Sequence, residues 1–325
     1  MCRFSIFPIH ISDSMVDYEI GERMKFLSVA EIAEKLNLSE RRVRMLCAEG
    51  KFENAYLKGK TWHIPEDSQK PVDRRVSTKT PTGDLGVIDE LKKQIDACRP
   101  LTQGERDRFN EEFLVEFTHN SNAIEGNTLT LRETALVLQG ITIDQKPLKD
   151  HLEAIGHRDA FNYVLDIVKH KEELTESVIK TIHSIVLMDK PEDRGVYRKV
   201  PVTIGGSTYT PPQPYIIPKQ MEELMYNLQD WKNTKHIAEQ IALFHLVFES
   251  IHPFIDGNGR TGRLLLNLKL MQQGYPPINI KFSDRSKYYS CFESYHKTGS
   301  PKAMIKLVAS LLEKEMKEYL KKFKG

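Results

Sequence analysis

Long hydrophobic runs are missing from this chain: no apolar stretch reaches the ~20 residues that a bilayer-spanning helix needs, so a membrane protein is not expected. Cysteine is scarce. Cys2, Cys47, Cys98 and Cys291 are far apart and none forms a Cys-x-x-Cys pair. That argues against a disulfide framework or a cysteine zinc site, and a reducing cytoplasm is the expected compartment. The 11 histidines include no HExxH. A charge excess is lacking too: 47 Lys+Arg against 45 Asp+Glu leave +2, which speaks against a surface coated for nucleic acid and leaves room only for a local patch. Gly 18 and Pro 16 in 325 residues are too few for a collagenous or low-complexity chain. No internal repeat is evident. Residues 1–23 lack the basic start, apolar centre and cleavage site of a signal peptide. They read as an N-terminal arm, or as sequence ahead of a working start at Met15 or Met24.

What is present divides into a small unit and a large one. Within residues 24–69, Ser28 with Glu31 forms a capping box ahead of Val29, Ile32, Ala33 and Leu36 on one helical face. After a break at Asn37-Leu38, Ser39 caps a second helix that turns Val43, Leu46 and Cys47 inward and Arg41, Arg42 and Arg44 outward, ending at Gly50. Ala55-Tyr56-Leu57, Lys58-Gly59-Lys60 and Thr61–Pro65 then read as strand, tight turn, strand. Helix, turn, basic helix and β-wing resemble the winged helix-turn-helix domains of excisionase and MerR type. The resemblance implies DNA contact through Arg41, Arg42, Arg44, Lys58 and Lys60. Residues 24–70 hold nine Lys+Arg against seven Asp+Glu, so docking to a protein is an equal alternative.

Residues 70–86 carry two prolines among polar residues and read as a linker. From Val87 to Gly325 the periodicity is helical, interrupted at 195–218, where β-branched residues flank Gly205-Gly206 as a hairpin signal. The fold class expected is mainly α: a helical domain with a β-hairpin flap, plus the small N-terminal winged unit. The tail 313–325 reads as a solvated helix end. His183 and His245 lie on apolar helices and read as core histidines.

The chemistry concentrates at His252–Arg263, which joins the apolar helix 237–251 to a second one. Gly257 and Gly259 permit close backbone approach, and successive N–H groups at the second helix's start make an anion nest. Asp256 is a hard oxygen ligand suited to Mg²⁺ between phosphates. Asn258 can donate to a phosphate oxygen, and Arg260 and Arg263, three apart, point forks the same way. His252 can take a proton from a hydroxyl near neutral pH.

The stretch matches HxFx(D/E)GNGRxxR throughout, and residues 95–315 resemble the Fic (Fido) family. The resemblance implies a helical core and transfer of AMP from ATP, with Mg²⁺, to a Tyr, Thr or Ser hydroxyl of a protein, which can be the chain itself. It makes His252 the general base and Phe254 the loop's anchor in the core. It makes Asp256 the metal ligand, Asn258 the α-phosphate contact, and Gly257 and Gly259 the anion-hole backbone. Arg260 and Arg263 become the β- and γ-phosphate contacts. Gly259 stands where the related Doc kinases carry lysine, which favours AMP transfer over phosphorylation. Val202, Thr203 and Ile204 fall where similar proteins add a target segment as a strand.

Ser121 to Gly126 fits (S/T)xxxE(G/N), which in similar proteins is an inhibitory helix. The resemblance pairs Glu125 with Arg263. A carboxylate forked to that guanidinium occupies the donors a γ-phosphate needs. Glu125 is also the candidate for positioning water in AMP removal, which makes removal, or both directions, the alternative activity. A DNA-binding regulator with a nucleotide-sensing core is a further one. Tyr289 follows Tyr288 where similar proteins hold the nucleotide base, with core packing equally good. The target, the nucleotide (some relatives use UTP, GTP or CDP-choline) and the homodimer common among relatives stay open.

Overall fold

The computed structural model describes residues 25–324, apart from Asn37, Glu49 and residues 70–81. The arm at 1–23 and most of the linker lie outside the described residues. The chain divides into two compact units between Arg74 and Arg75, each described by itself.

The N-terminal unit runs β1 (Phe26–Leu27), α1 (Val29–Leu36), α2 (Glu40–Ala48), β2 (Tyr56–Lys58) and β3 (Thr61–Pro65). Ser28 N–H donates to Glu31 at 2.7 Å and Glu31 N–H to Ser28 Oγ at 3.4 Å, so the capping box starts α1. Ile32, Val43 and Ile64 are fully buried among Val29, Ala33, Leu46, Cys47 and Phe52. The strand pair turns over Gly59-Lys60, with Gly59 at φ +67° where a side chain is strained. β1, a two-residue strand not foreseen, pairs antiparallel with β3, giving the order β1-β3-β2.

The second unit is helical: α3 (Thr82–Asp96), α4 (Gln103–Ile124), α5 (Leu131–Leu138), α6 (Leu148–His170), α7 (Glu176–Val186), α8 (Ile217–Thr234), α9 (Ile237–Ile251), α10 (Asn258–Gln272), α11 (Arg285–Thr298) and α12 (Lys302–Lys324). α3 opens at Thr82, so the end of the stretch expected as linker is already helix. Capping boxes at Thr102/Glu105 and Thr130/Glu133 set the starts of α4 and α5.

α9 is apolar nearly all round, so it can only be stable when covered on all sides. It contributes Ile241, Ala242 and Leu246 to one core with α3, α11 and α12, and Phe244, Phe248 and Ile251 to another with α6, α7 and α8. α10 is shared in the same way, through Leu266 and Leu270 on one side and Leu264, Leu265 and Leu268 on the other. The loop 252–257 joining these two buried helices is therefore fixed at both ends.

The hairpin signal at 202–206 appears as a turn: Ser207 N–H donates to Ile204 carbonyl at 3.1 Å and Gly206 has φ +74°. Its arms are irregular, without a strand ladder among the described residues. Val202 and Ile204 are half-buried and Thr203 is exposed, the alternation of an extended segment with one face to water.

Candidate active site

The loop between α9 and α10 begins with an unusual backbone. His252 caps α9 in the left-handed region, at φ +49° and ψ 60°, and its N–H closes on Phe248 carbonyl at 3.0 Å. A histidine rarely adopts this conformation unless its surroundings impose it. Here Arg198, 4% exposed, imposes much of it. Its Nε donates to His252 carbonyl at 2.8 Å, and its backbone N–H donates to Pro253 carbonyl at 2.9 Å. The same guanidinium donates to Val200 carbonyl at 3.1 Å and Pro212 carbonyl at 2.6 Å, the two ends of the flap segment. One buried arginine thus ties the flap to the histidine.

The His252 ring is mostly buried, and burial pushes its pKa below the ordinary histidine value. Nδ1 lies 3.3 Å from Glu249 carbonyl, which leaves Nε2 as the nitrogen able to accept a proton. Phe254 is fully buried and stacks on His183 at 3.6 Å between centroids, so it anchors the loop as expected.

His183 does more than fill the core. Gly195 N–H donates to its Nδ1 at 2.8 Å, so the proton is on Nε2, which donates to Asp256 carbonyl at 2.9 Å. Burial lowers its pKa to about 4 and keeps it in that neutral form. His245 is a buried core histidine, with Nε2 2.7 Å from Tyr288 hydroxyl.

Gly257 caps α10 at φ +73°. Asn258 also has partners inside the loop. Its side chain, 2% exposed, accepts from Phe254 N–H and donates to Phe254 carbonyl, both at 2.9 Å. Its amide closes the loop and spends one of its two N–H donors on the Phe254 carbonyl. A Cβ at Gly259 would meet the Glu125 carboxylate, which would have to shift.

Asp256 stays ionised, with a pKa of about 2; burial opposes the charge, and Lys190 and Arg260 outweigh it. Among the described residues no group of three or more His, Cys, Asp or Glu gathers to cage a metal. A single carboxylate beside a phosphate-binding helix end fits Mg²⁺, which keeps water and phosphate ligands.

Arg260 and Arg263 are each 2% exposed. Arg260 Nη1 lies 3.2 Å from Glu153 on α6 and its Nη2 3.7 Å from Asp256. Arg263 Nε donates to Ser121 Oγ at 3.0 Å, and its Nη2 to Ser121 carbonyl at 2.8 Å and to Glu125 Oε1 at 2.7 Å. Burial opposes the Arg263 charge, and the Glu125 carboxylate more than restores it, raising its pKa. Tyr289 is exposed, and its hydroxyl donates to Ile124 carbonyl at 3.1 Å, while Tyr288 is buried. Of this pair, Tyr288 packs the core and Tyr289 braces the end of α4.

Sequence reasoning missed Arg198, His183's positioning role, Glu153 and Glu249. Glu249 sits on α9 with Oε2 4.0 Å from His252 Nδ1 and Oε1 lacking a hydrogen-bond partner. Burial pushes its carboxyl up to about 8. A charged residue at the end of an otherwise apolar helix was the available signal.

Fold and site together define a helical protein whose phosphate-suited loop opens on a buried helix, with a histidine at its rim and a carboxylate across its second arginine. Residues 173–270 match the Fic/DOC family. A Fic-domain signalling protein from Bacteroides thetaiotaomicron superposes with a TM-score of 0.67 at 31% identity, covering 74% of this chain and 97% of that one. Fic-1 from C. elegans (residues 134–508) gives 0.65 at 28% identity, over 74% and 72%. Protein adenylyltransferase Fic of Drosophila willistoni is 36% identical over 243 residues, 73% of this chain and 47% of its own length. The Nematostella vectensis protein of the same name is 34% identical over 79% of this chain and 61% of its own. The chain belongs to the Fic/DOC family. It spans about half the length of the Drosophila relative and three fifths of the Nematostella one.

Proposed function

We propose that the chain is a protein adenylyltransferase that moves AMP from ATP to a protein hydroxyl and is held in check by Glu125. The observation that carries this is the 2.7 Å contact of Glu125 with Arg263, set beside an intact motif. The names of the Drosophila and Nematostella relatives support the reaction type.

His252 Nε2 takes the hydroxyl proton, the hydroxyl oxygen bonds to the α-phosphorus, and the bond to the pyrophosphate leaving group breaks. Arg260, Arg263 and the first N–H groups of α10 hold the phosphate charge. Asp256 is the residue that would hold Mg²⁺, which when bound neutralises charge between phosphates. Val202–Ile204 offers an extended edge to the target backbone, and Arg198 sets that edge's distance from His252. With Glu125 on Arg263 the γ-phosphate lacks its donors, and ATP is excluded from the productive pose.

Incubating wild type and His252→Ala with labelled ATP and Mg²⁺, on the Glu125→Gly background, tests the assignment. AMP incorporation is expected to vanish in the histidine variant. Equal labelling would overturn the mechanism. The same assay on a pre-modified target reads AMP removal.

The N-terminal unit is, on this reading, a winged helix-turn-helix. Arg41, Arg44, Lys58 and Lys60 are exposed and Arg42 is half-buried, while Arg44 is engaged by Glu40 at 2.7 Å. Its ligand is DNA or a protein, and gel shifts across salt concentrations separate the two.

A further inference from the structure

Asp256 is already matched by positive charge. Lys190 Nζ lies 2.6 Å from its Oδ2, and Gly257 N–H donates to Oδ1 at 2.6 Å, with Arg260 Nη2 3.7 Å from the same oxygen. Lys190 comes from outside the motif, in the loop after α7. Its N–H donates to Leu187 carbonyl at 3.1 Å, and its carbonyl accepts from Asp193 N–H at 3.1 Å and Arg194 N–H at 3.3 Å. Gly195 N–H then reaches His183 Nδ1, and His183 Nε2 donates to Asp256 carbonyl. One histidine ring thus ties the loop that presents Lys190 to the loop that presents Asp256. The lysine stem starts from a fixed base and ends on the carboxylate.

Exposure separates this pair from its neighbour. The Lys190 and Asp256 side chains are 36% and 38% exposed, whereas Arg260 and Glu153 are 3% and 7% exposed. A wet ion pair is screened and exchanges readily; a dry one does not. A dication at Asp256 brings twice the charge of an ammonium and a preference for oxygen. The displaced ammonium is a compact charge on a flexible stem, a form of cation that suits phosphate.

We propose that Lys190 is a nucleotide-site residue. It takes the place of the divalent cation on Asp256 while the site holds no nucleotide. It turns to the phosphate chain of a nucleoside triphosphate when that chain enters the site, and leaves the carboxylate to a cation. This rests on the nucleotide reading above but concerns binding alone, so its test stands even if no AMP transfer is found.

The full chain carrying Glu125→Gly, which opens Arg263 to phosphate, is compared with the same chain bearing Lys190→Met or Lys190→Arg. Mn²⁺ alone is titrated by the loss of its free-ion electron spin resonance signal. ATP in EDTA is titrated by calorimetry. Lys190→Met is expected to bind Mn²⁺ up to about fivefold more tightly, because a competitor is gone. It is expected to bind metal-free ATP about tenfold more weakly, because a charged donor is gone. Lys190→Arg keeps the ATP affinity, and adding Asp256→Asn removes the gain in Mn²⁺ binding. The opposite signs exclude misfolding, which weakens both ligands. Mn²⁺ affinity that does not rise in Lys190→Met, or metal-free ATP affinity that does not fall, overturns the proposal.

Discussion

Arg260 and Arg263 leave the same turn of α10 and are equally buried, yet their carboxylate partners meet water differently. Glu153, on Arg260, is 7% exposed and also accepts from Asn127 at 2.9 Å. Glu125, on Arg263, is 34% exposed, and Arg263 keeps two further acceptors on Ser121. Removing a partner from a dry pair strands a buried charge. Removing one that reaches solvent, from an arginine with other acceptors, strands much less. The first pair is costly to break and the second is a contact that can be given up at less cost.

The sharpest way to break this comparison is Glu153→Ala. It is expected to cost about 3–5 kcal/mol of stability, read as a lower denaturant midpoint, without raising AMP incorporation. If it activates the protein instead, the two pairs are of one kind. Next in size, Glu125→Gly is expected to raise labelling about 100-fold, the equivalent of about 2.7 kcal/mol in the barrier, with little change in melting temperature. A large fall in melting temperature would show that this pair, too, is structural.

Glu249, a third carboxyl that the Arg263 charge reaches, gives a pH test. Folding raises its pKa from 4.5 to about 8, so between those values the folded chain holds a proton that the unfolded chain has released. Its contribution to stability is thus fully present below 4.5 and lost as pH rises through about 8. Glu249→Gln does not titrate, so its melting temperature is expected to gain on wild type steadily across that window. A pH-independent difference would place the carboxyl in a less buried setting. The smallest effect belongs to Ser121→Ala. It is expected to lose about 1 kcal/mol from the Arg263 anchorage and raise labelling a few-fold, since the Ser121 carbonyl and Glu125 still hold the guanidinium.

Much of what is local was legible in the sequence. The capping box at Ser28/Glu31, the apolar α9 and the loop 252–263 follow from spacing alone, and resemblance supplied the pairing of Glu125 with Arg263. Contacts that join remote segments were not legible. Arg198 meets His252 across 54 residues, and Lys190 meets Asp256 across 66. No periodicity encodes either. Asn258 shows a different limit. Its residue type suits phosphate, and the loop also uses an amide that can donate and accept at once, a contact the spacing does not announce. β1 escaped notice because two residues carry no alternation to read.

Glu125 occupies the C-terminal cap of α4, and Gly126 follows at φ +97°. A helix gathers partial negative charge at that end, so α4 repels the carboxylate that it carries. The Glu125 carboxylate is therefore mounted where its own support pushes it away, and the guanidinium opposite is what holds it. An anion that captured Arg263 would need no separate force to free the carboxylate.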